Sequence, residues 1–538
     1  FLMGNNNPTP IKQAEPVNLA EIQRAQESYQ NAVRVQEEET KRKTNALKYN
    51  DDDLLPEPMA ASERKPDAKT EGSDPSNPND PISLSFKLKY SSLQVNSASE
   101  TVEPALFTLK TKNVTGDRAF IDLVCVLDTS FSMNGEKLRL LQDTLQFYLL
   151  PLLCENDRIS IVSFSNLAKR YTPLLRVTKD KIATISQAIR SLAAKGGTDI
   201  TSGMTEAIKI FNDRRHRNPV SSVFLLSDGI DPVALAGVKS LLETQKPKDN
   251  FTINTFGYGS DHDPSLMSSL ATLTDGKFYS IETLSTVNEN FVHAIGGLLT
   301  VMGQDATINI QPLKSEIFPN IQIKKAFGGS DLWNVSDGAY TTRISQLSSG
   351  CSRNYVLELT IPKFTKELND QQREVVLAKA TVTMISSNGE VMNKECDLKV
   401  NLINEDEELP QQQADKDLLS NYYRVRAAEI LLEARKLADE GDYEGGRKIL
   451  TNFTEELRNS TVKDEFLVKE LLEDILAIIE EMHPEQYVFF GKHRLYQQAE
   501  CHLKERSNLN SKKGVNMYSN EMEREFVEMA RSNKRSEV

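Results

Sequence analysis

The chain has 538 residues, room for two to four domains, with a formal net charge of −13 and an apolar fraction of 39%. That acidity argues against non-specific nucleic-acid binding, and the longest apolar runs, such as 219–226 and 475–479, fall far short of a membrane span. The five cysteines (125, 154, 351, 396 and 501) are scattered, form no CxxC pair and are odd in number, and the six histidines do not cluster. This argues against a zinc site or disulfide framework and fits a reducing, intracellular and cytoplasmic setting. Glycosylation triplets at Asn113, Asn334 and Asn452 keep secretion as the alternative.

Residues 1–50 comprise a polar segment and a long predicted helix, 17–48. Leu19, Ile22, Ala25, Tyr29 and Val33 recur there at helical spacing. So narrow a stripe cannot stabilise a helix alone, so the segment is either a charged tail or a helix that orders against a partner. Residues 51–80, rich in Pro, Asp, Ser and Glu, read as a linker. Strand alternation starts at Ile82, where Leu84, Phe86 and Leu88 alternate with Ser83, Ser85, Lys87 and Lys89. A second strand is predicted over 104–111, and the segment 81–118 is assigned to a β-sandwich completed further on.

From 119 to 302 the pattern becomes strand, helix, strand, helix. Predicted strands are 119–127, 157–164, 171–176, 221–227, 251–257 and 277–282. Helices are predicted near 136–150, 180–193, 201–214, 233–244, 264–272 and 285–301. Continuous apolar strands such as Val223-Phe-Leu-Leu226 belong in a sheet covered on both faces, which makes this a doubly wound, Rossmann-like α/β domain. Residues 303–404 return to alternating strands, so the α/β domain is predicted as an insertion into the β-sandwich. A linker, 405–416, leads to a C-terminal helical bundle, 417–505, with helices at 417–440, 443–458, 462–482 and 484–503. The tail, 506–538, is polar, with a short helix predicted near 519–531.

The stretch Asp128-Thr-Ser-Phe-Ser-Met133 follows the apolar run 120–127 directly. A turn needs at most one polar side chain for its own backbone, so Asp128, Ser130 and Ser132 at alternate positions imply a shared target. Thr198 lies in Gly196-Gly-Thr-Asp199 before a helix, and Asp228 lies in Ser227-Asp-Gly229 after a strand. Ligands of doubly wound sheets sit at the carboxyl ends of the strands, so these five oxygen-bearing residues converge. Hard oxygens suit Mg²⁺. No GxxxxGK[ST] stretch exists, Gly257-Tyr-Gly259 lacks the third glycine of a dinucleotide site, and no nucleophile with a His partner is evident. A binding device is expected rather than an enzyme.

These residues resemble the von Willebrand factor type A (VWA) domain and its metal-ion-dependent adhesion site (MIDAS), DxSxS…T…D, with Phe131 standing where that family often has Gly. The resemblance implies that Asp128, Ser130, Ser132, Thr198 and Asp228 hold Mg²⁺, with Mn²⁺ or Ca²⁺ as alternatives. It also implies that a partner protein's Glu or Asp completes the metal shell. Segments 214–229, 351–362 and 427–450 resemble a plant and protist branch in which a type A domain precedes a β-rich region and a C-terminal helical region. Some members of that branch carry an N-terminal zinc-binding RING and act as ubiquitin ligases; this sequence shows no such cluster. The expectation is therefore an interaction or scaffold protein in a larger, cytoskeletal or ciliary assembly, tethered by helix 17–48 and the C-terminal helices. The alternatives are a ubiquitin-ligase-related regulator without its own RING and an extracellular adhesion protein.

Overall fold

The structure, a computed structural model, describes residues 71–72, 80–94, 99–113, 118–228, 230–247, 249–258, 262–281, 284–363, 373–386, 389–404, 406–408, 411–487, 491–505, 518, 520–521, 523–525 and 528. The predicted helix 17–48, most of the linker 51–80 and most of the tail 506–538 lie outside the described residues.

Strands β1 (Ile82–Leu88) and β2 (Thr101–Thr111) pair antiparallel before the chain enters the α/β region. That region contributes β3 (Ile121–Asp128), α1 (Glu136–Asp143), β4 (Arg158–Phe164), α2 (Lys179–Arg190), α3 (Ile200–Asp213) and β5 (Val220–Ser227). It continues with α4 (Ala234–Gln245), β6 (Thr252–Tyr258), α5 (Pro264–Thr272), β7 (Phe278–Ile281) and α6 (Leu284–Leu299). The sheet runs β7-β6-β5-β3-β4, with every one of these neighbours parallel. Side chains alternate across a strand, and here both faces are covered. Leu123, Cys125 and Leu127 of β3 pack with Leu141 of α1, Ile185 of α2 and Ile295 of α6. Val124 and Val126 pack on the other side with Met204 of α3, Val238 of α4 and Leu270 of α5. That double coverage is why β3 and β5 read as unbroken apolar runs.

The predicted strand 171–176 is instead two short pieces, 169–170 and 175–176, antiparallel to β4. Pro173, between them, has no N–H to give a ladder. Thr172 bonds across with its side chain, its Oγ1 accepting from the Ile161 N–H at 2.9 Å.

After α6 the chain returns to strands: β8 (Val301–Pro312), β9 (Gln322–Ala326), β10 (Ala339–Ser348), β11 (Ser352–Ile361), β12 (Glu374–Ser386) and β13 (Val391–Ile403). β13-β12-β8-β10 form one antiparallel run and β9-β11-β2-β1 another. The two share one core: Phe86, Phe107 and Leu357 from the second run meet Ile308, Val382 and Leu398 from the first. The strands before and after the α/β region thus close on each other, which ties that region down through two chain connections.

Helices α7 (Lys416–Asp439), α8 (Tyr443–Asn459), α9 (Phe466–Glu481) and α10 (Lys492–Lys504) follow. Leu431, Leu450, Leu471 and Leu495 lie in their common core. Leu418 and Val425 of α7 pack on Leu106 and Val356 of the strands. Arg424, wholly buried, donates to Asn421 Oδ1 at 2.9 Å and to the Asn354 carbonyl at 2.6 Å. No described helix is long and apolar enough to cross a membrane.

Candidate metal centre

β3 and β5 are neighbours, but the segments that leave their carboxyl ends part to opposite faces. The β3 segment goes to α1 in one core and the β5 segment to α4 in the other. A crevice opens where such connections diverge. Asp128 ends β3 and Asp228 directly follows β5, so both carboxylates reach this crevice.

Asp128 is fully buried, and among the described residues its hydrogen bonds come from a hydroxyl and an amide. Ser227 Oγ donates to its Oδ2 at 2.5 Å, and the Ser130 N–H donates to its Oδ1 at 2.8 Å. Ser130 Oγ lies 2.9 Å from Ser132 Oγ, which in turn donates to Asp228 Oδ1 at 2.8 Å. Asp128, Ser130, Ser132 and Asp228 therefore form one continuous chain of contacts. The loop that carries Thr198 is tied to the same turn by backbone bonds. The Lys195 N–H donates to the Thr129 carbonyl at 2.7 Å, and the Phe131 N–H to the Gly196 carbonyl at 3.0 Å. Thr198 itself is half-buried, two residues beyond that stitch. The loop is set from below as well: Asp199 caps α3 by accepting from the Ser202 N–H at 2.9 Å, and Asn166 Oδ1 accepts from the Gly197 N–H at 2.7 Å.

Three contributors were not read from the sequence. Ser227 orients Asp128 as above. Asp231 accepts from the Ile200 N–H at 3.0 Å and so pins the β5–α4 loop to the first turn of α3. Lys137 Nζ lies 2.5 Å from Asp228 Oδ2, with the carboxylate fully buried and the lysine partly exposed. The readable signal for Lys137 was its place in the first turn of α1, immediately after the serine turn. Gly135, at φ 89°, allows the reversal that carries it back over the site.

Electrostatically, burial pushes the Asp128 carboxyl above its ordinary value. The bonds from Ser227 and Ser130 act the other way, and the nearby Asp228 charge adds to the rise. Among the described residues no group of three or more His, Cys, Asp or Glu gathers as a metal cluster. A cation here would depend on hydroxyls as well as carboxylates, which is hard-ion chemistry. The donor spacing can be tested against such an ion. Around octahedral Mg²⁺, with bonds of about 2.05 Å, adjacent ligands lie about 2.9 Å apart. The Ser130–Ser132 and Ser132–Asp228 hydrogen bonds, at 2.9 and 2.8 Å, have that same length, so an ion could take up these three oxygens without spreading them.

Residues 123–230, which hold Asp128, Ser130, Ser132, Thr198 and Asp228, match the family described as von Willebrand factor type A domain. The chain carries a von Willebrand factor type A domain. Over 46% of this chain, and 31% of the relative, the sequence is 28% identical to E3 ubiquitin-protein ligase WAV3 of Arabidopsis thaliana. It is 24% identical to human inter-alpha-trypsin inhibitor heavy chain H2 over 46% of this chain and 27% of that one. The chain thus spans about a third or less of the length of these relatives. A solved structure, von Willebrand factor type A from Catenulispora acidiphila, is similar in fold at 15% identity, with a TM-score of 0.58, over 81% of this chain and 98% of that one.

Proposed function

We propose that this chain is a non-enzymatic interaction or scaffold protein whose type A domain holds Mg²⁺ through Asp128, Ser130, Ser132, Thr198 and Asp228. In this reading an α/β domain is inserted in a β-sandwich and followed by a helical bundle, and the whole presents the metal face to a partner. Bound Mg²⁺ supplies Lewis acidity toward an anionic oxygen, here a partner's Glu or Asp. The chain's own residues set up that role. Ser227 and the Ser130 amide orient Asp128, Ser132 links the two carboxylates, and the Lys195–Thr129 stitch holds the Thr198 loop at the crevice.

The observation that carries the reading is the run of Ser130, Ser132 and Asp228 oxygens, 2.9 and 2.8 Å apart, beside a buried Asp128 whose hydrogen bonds among the described residues come from Ser227 and the Ser130 amide. Isothermal titration of Mg²⁺ into the full chain tests it. The expected result is saturable binding that is lost in Asp128→Ala and in Asp228→Ala. Equal heats for wild type and variants would leave the domain as a metal-free scaffold. Placement in the cytoplasm, within a cytoskeletal or ciliary assembly, belongs to the same proposal; imaging of a tagged full chain tests it.

A second reading has one specific support, the name E3 ubiquitin-protein ligase borne by the WAV3 relative. As a ubiquitin-ligase-related regulator, the chain would bind a substrate or a ligase rather than transfer ubiquitin itself. Reconstituted ubiquitin transfer with and without the chain separates the readings, and transfer by the chain alone would contradict the non-enzymatic one.

A further inference from the structure

Tyr518, Asn520, Glu521 and Glu523 belong to the C-terminal tail, yet each is bonded to a different part of the body. Tyr518 Oη lies 2.9 Å from Nδ1 of His502 in α10. Asn520 Nδ2 donates to Thr300 Oγ1, just past α6, at 3.1 Å. Glu521 Oε2 accepts from Asn113 Nδ2, just past β2, at 2.9 Å. Glu523 is buried, and its Oε1 accepts from Lys277 Nζ at 3.1 Å. Helix α6 is notched for that carboxylate: a Cβ at Gly297 would stand 3.0 Å from Glu523 Oε1, tighter than ordinary contact. The same side chain also starts the tail's own helical residues, 521, 523–525 and 528. Its Oε2 accepts from the Asn520 N–H at 3.0 Å, while Asn520 Oδ1 accepts from the Glu523 N–H at 2.7 Å, the reciprocal pair of a capping box.

We infer that segment 518–528 is a detachable strap that folds only as it docks, tying α10 to α6, with the Glu523 carboxylate as its lock and the Gly297 notch as a receptor for an Asn-x-x-Glu helix start. The strap does not depend on the cation. A helix start this short does not hold without help, and here one carboxylate supplies both the cap and the anchor. Without Lys277 the buried charge loses its ion pair. Without the cap the carboxylate is no longer aimed into the notch. The strap therefore has two states, docked and capped or free and hydrated, with little between them. Its bonds from Tyr518, Asn520 and Glu521 are single hydrogen bonds, and the lysine of its ion pair is 24% exposed. Water can replace such contacts, so opening costs far less than unfolding the body beneath, where Phe291 and Ile295 of α6 lie in the apolar core. Closed, the strap fills the notch. Open, it leaves Lys277, Thr300 and the notch to another helix with the same start.

Hydrogen exchange of the full chain, read by mass spectrometry, tests the strap. Glu523→Gln keeps a side chain able to cap and removes the charge; Asn520→Ala removes the cap and keeps the charge. Each is expected to speed exchange across 518–528 by about tenfold or more, and the two together no more than either alone, while β3 and β5 keep wild-type protection. Glu523→Lys should open the strap by charge repulsion, and adding Lys277→Glu should close it again. A fluorescein-labelled synthetic peptide of residues 515–532 should bind the Glu523→Lys chain about tenfold or more tighter than wild type, whose notch is filled. The same peptide carrying Glu523→Gln should lose that binding. Tail amides that exchange in wild type as fast as an unfolded chain overturn the docking. Effects of Glu523→Gln and Asn520→Ala that simply add overturn the shared lock, and a charge swap that restores no protection overturns the ion pair as its basis. A peptide that binds neither chain overturns the notch as a receptor. Protection that fades as wild type is diluted gives the notch to the tail of a second copy and overturns the strap.

Discussion

Lys137 Nζ and Asp228 Oδ2 are 2.5 Å apart, so one of the two carboxylates at the crevice already has a positive partner within the chain. A divalent ion bound through Asp228 must share that carboxylate with the ammonium or displace it. Removing the ammonium leaves two buried acids with no cation between them. Lys137→Met is therefore expected to lower stability in EDTA and to tighten Mg²⁺ binding by about three- to tenfold, or ~1 kcal/mol. Titration calorimetry measures the second effect and thermal unfolding in EDTA the first. Weaker Mg²⁺ binding in the variant would mean that Lys137 orients Asp228 rather than competing for it.

The two aspartates at the ends of β3 should behave oppositely. Asp122, at the amino end, accepts from Arg158 twice and from Arg214 once, each at 2.7 Å, so its buried charge is balanced by guanidinium groups. Asp122→Asn removes the carboxylate that Arg158 and Arg214 share, leaving Arg214 with Asp249 at 2.8 Å, and is expected to cost roughly 3–5 kcal/mol in urea unfolding. Among the described residues, Asp128 takes its hydrogen bonds from a hydroxyl and an amide. Asp128→Asn should change stability in EDTA by no more than about 1 kcal/mol while abolishing any rise in stability with Mg²⁺.

Acid should loosen the face of the type A domain opposite α3 and α4. His293 of α6 is buried beside Tyr279, Lys277 and Glu523, the last of these in the described part of the tail. Burial, only partly offset by Glu523, pulls the imidazole down to about 4. An unfolded chain takes up that proton near pH 6.5. Between about pH 6.5 and 4 the unfolded state therefore binds more protons, and stability falls as pH falls. This group contributes a slope of at most about 1.4 kcal/mol per pH unit. The carboxyl of Glu523 is disfavoured by burial, but Lys277 and His293 outweigh that and hold it below its ordinary value, so its own loss comes at lower pH. His293→Gln should flatten the slope within that window, as read from urea midpoints across pH.

Helix α3 delivers the Thr198 loop, and it can do so only by close approach to the sheet. A Cβ at Gly203 would meet Val126 Cγ1 at 2.7 Å and the Phe164 ring at 2.9 Å. Gly203→Ala should push α3 outward, with a loss of about 1–3 kcal/mol in stability and weaker Mg²⁺ binding. Unchanged Mg²⁺ affinity in this variant would remove Thr198 from the ligand set.

The α/β layout was legible because its signals are local. Ile121–Asp128 and Val220–Ser227 are apolar throughout since both faces of those strands are covered, and the amphipathic helices between them show their own period. The Asp128, Ser130 and Ser132 spacing was legible for the same reason, since alternate positions of one turn lie within a few bonds of each other. The segment 171–176 misled because its apolar content suggested a full strand, while Pro173 and the side-chain bonding of Thr172 divided it.

By itself the sequence determined which oxygens sit at strand ends, because strand and turn formation depend on neighbours along the chain. Only the tertiary structure decided how they meet. Asp228 reaches Ser132 because β3 and β5 lie side by side while their following segments diverge. Lys137 reaches Asp228 because Gly135 turns α1 back over the crevice. Those relationships are non-local, set by sheet order and packing rather than by residues adjacent along the chain.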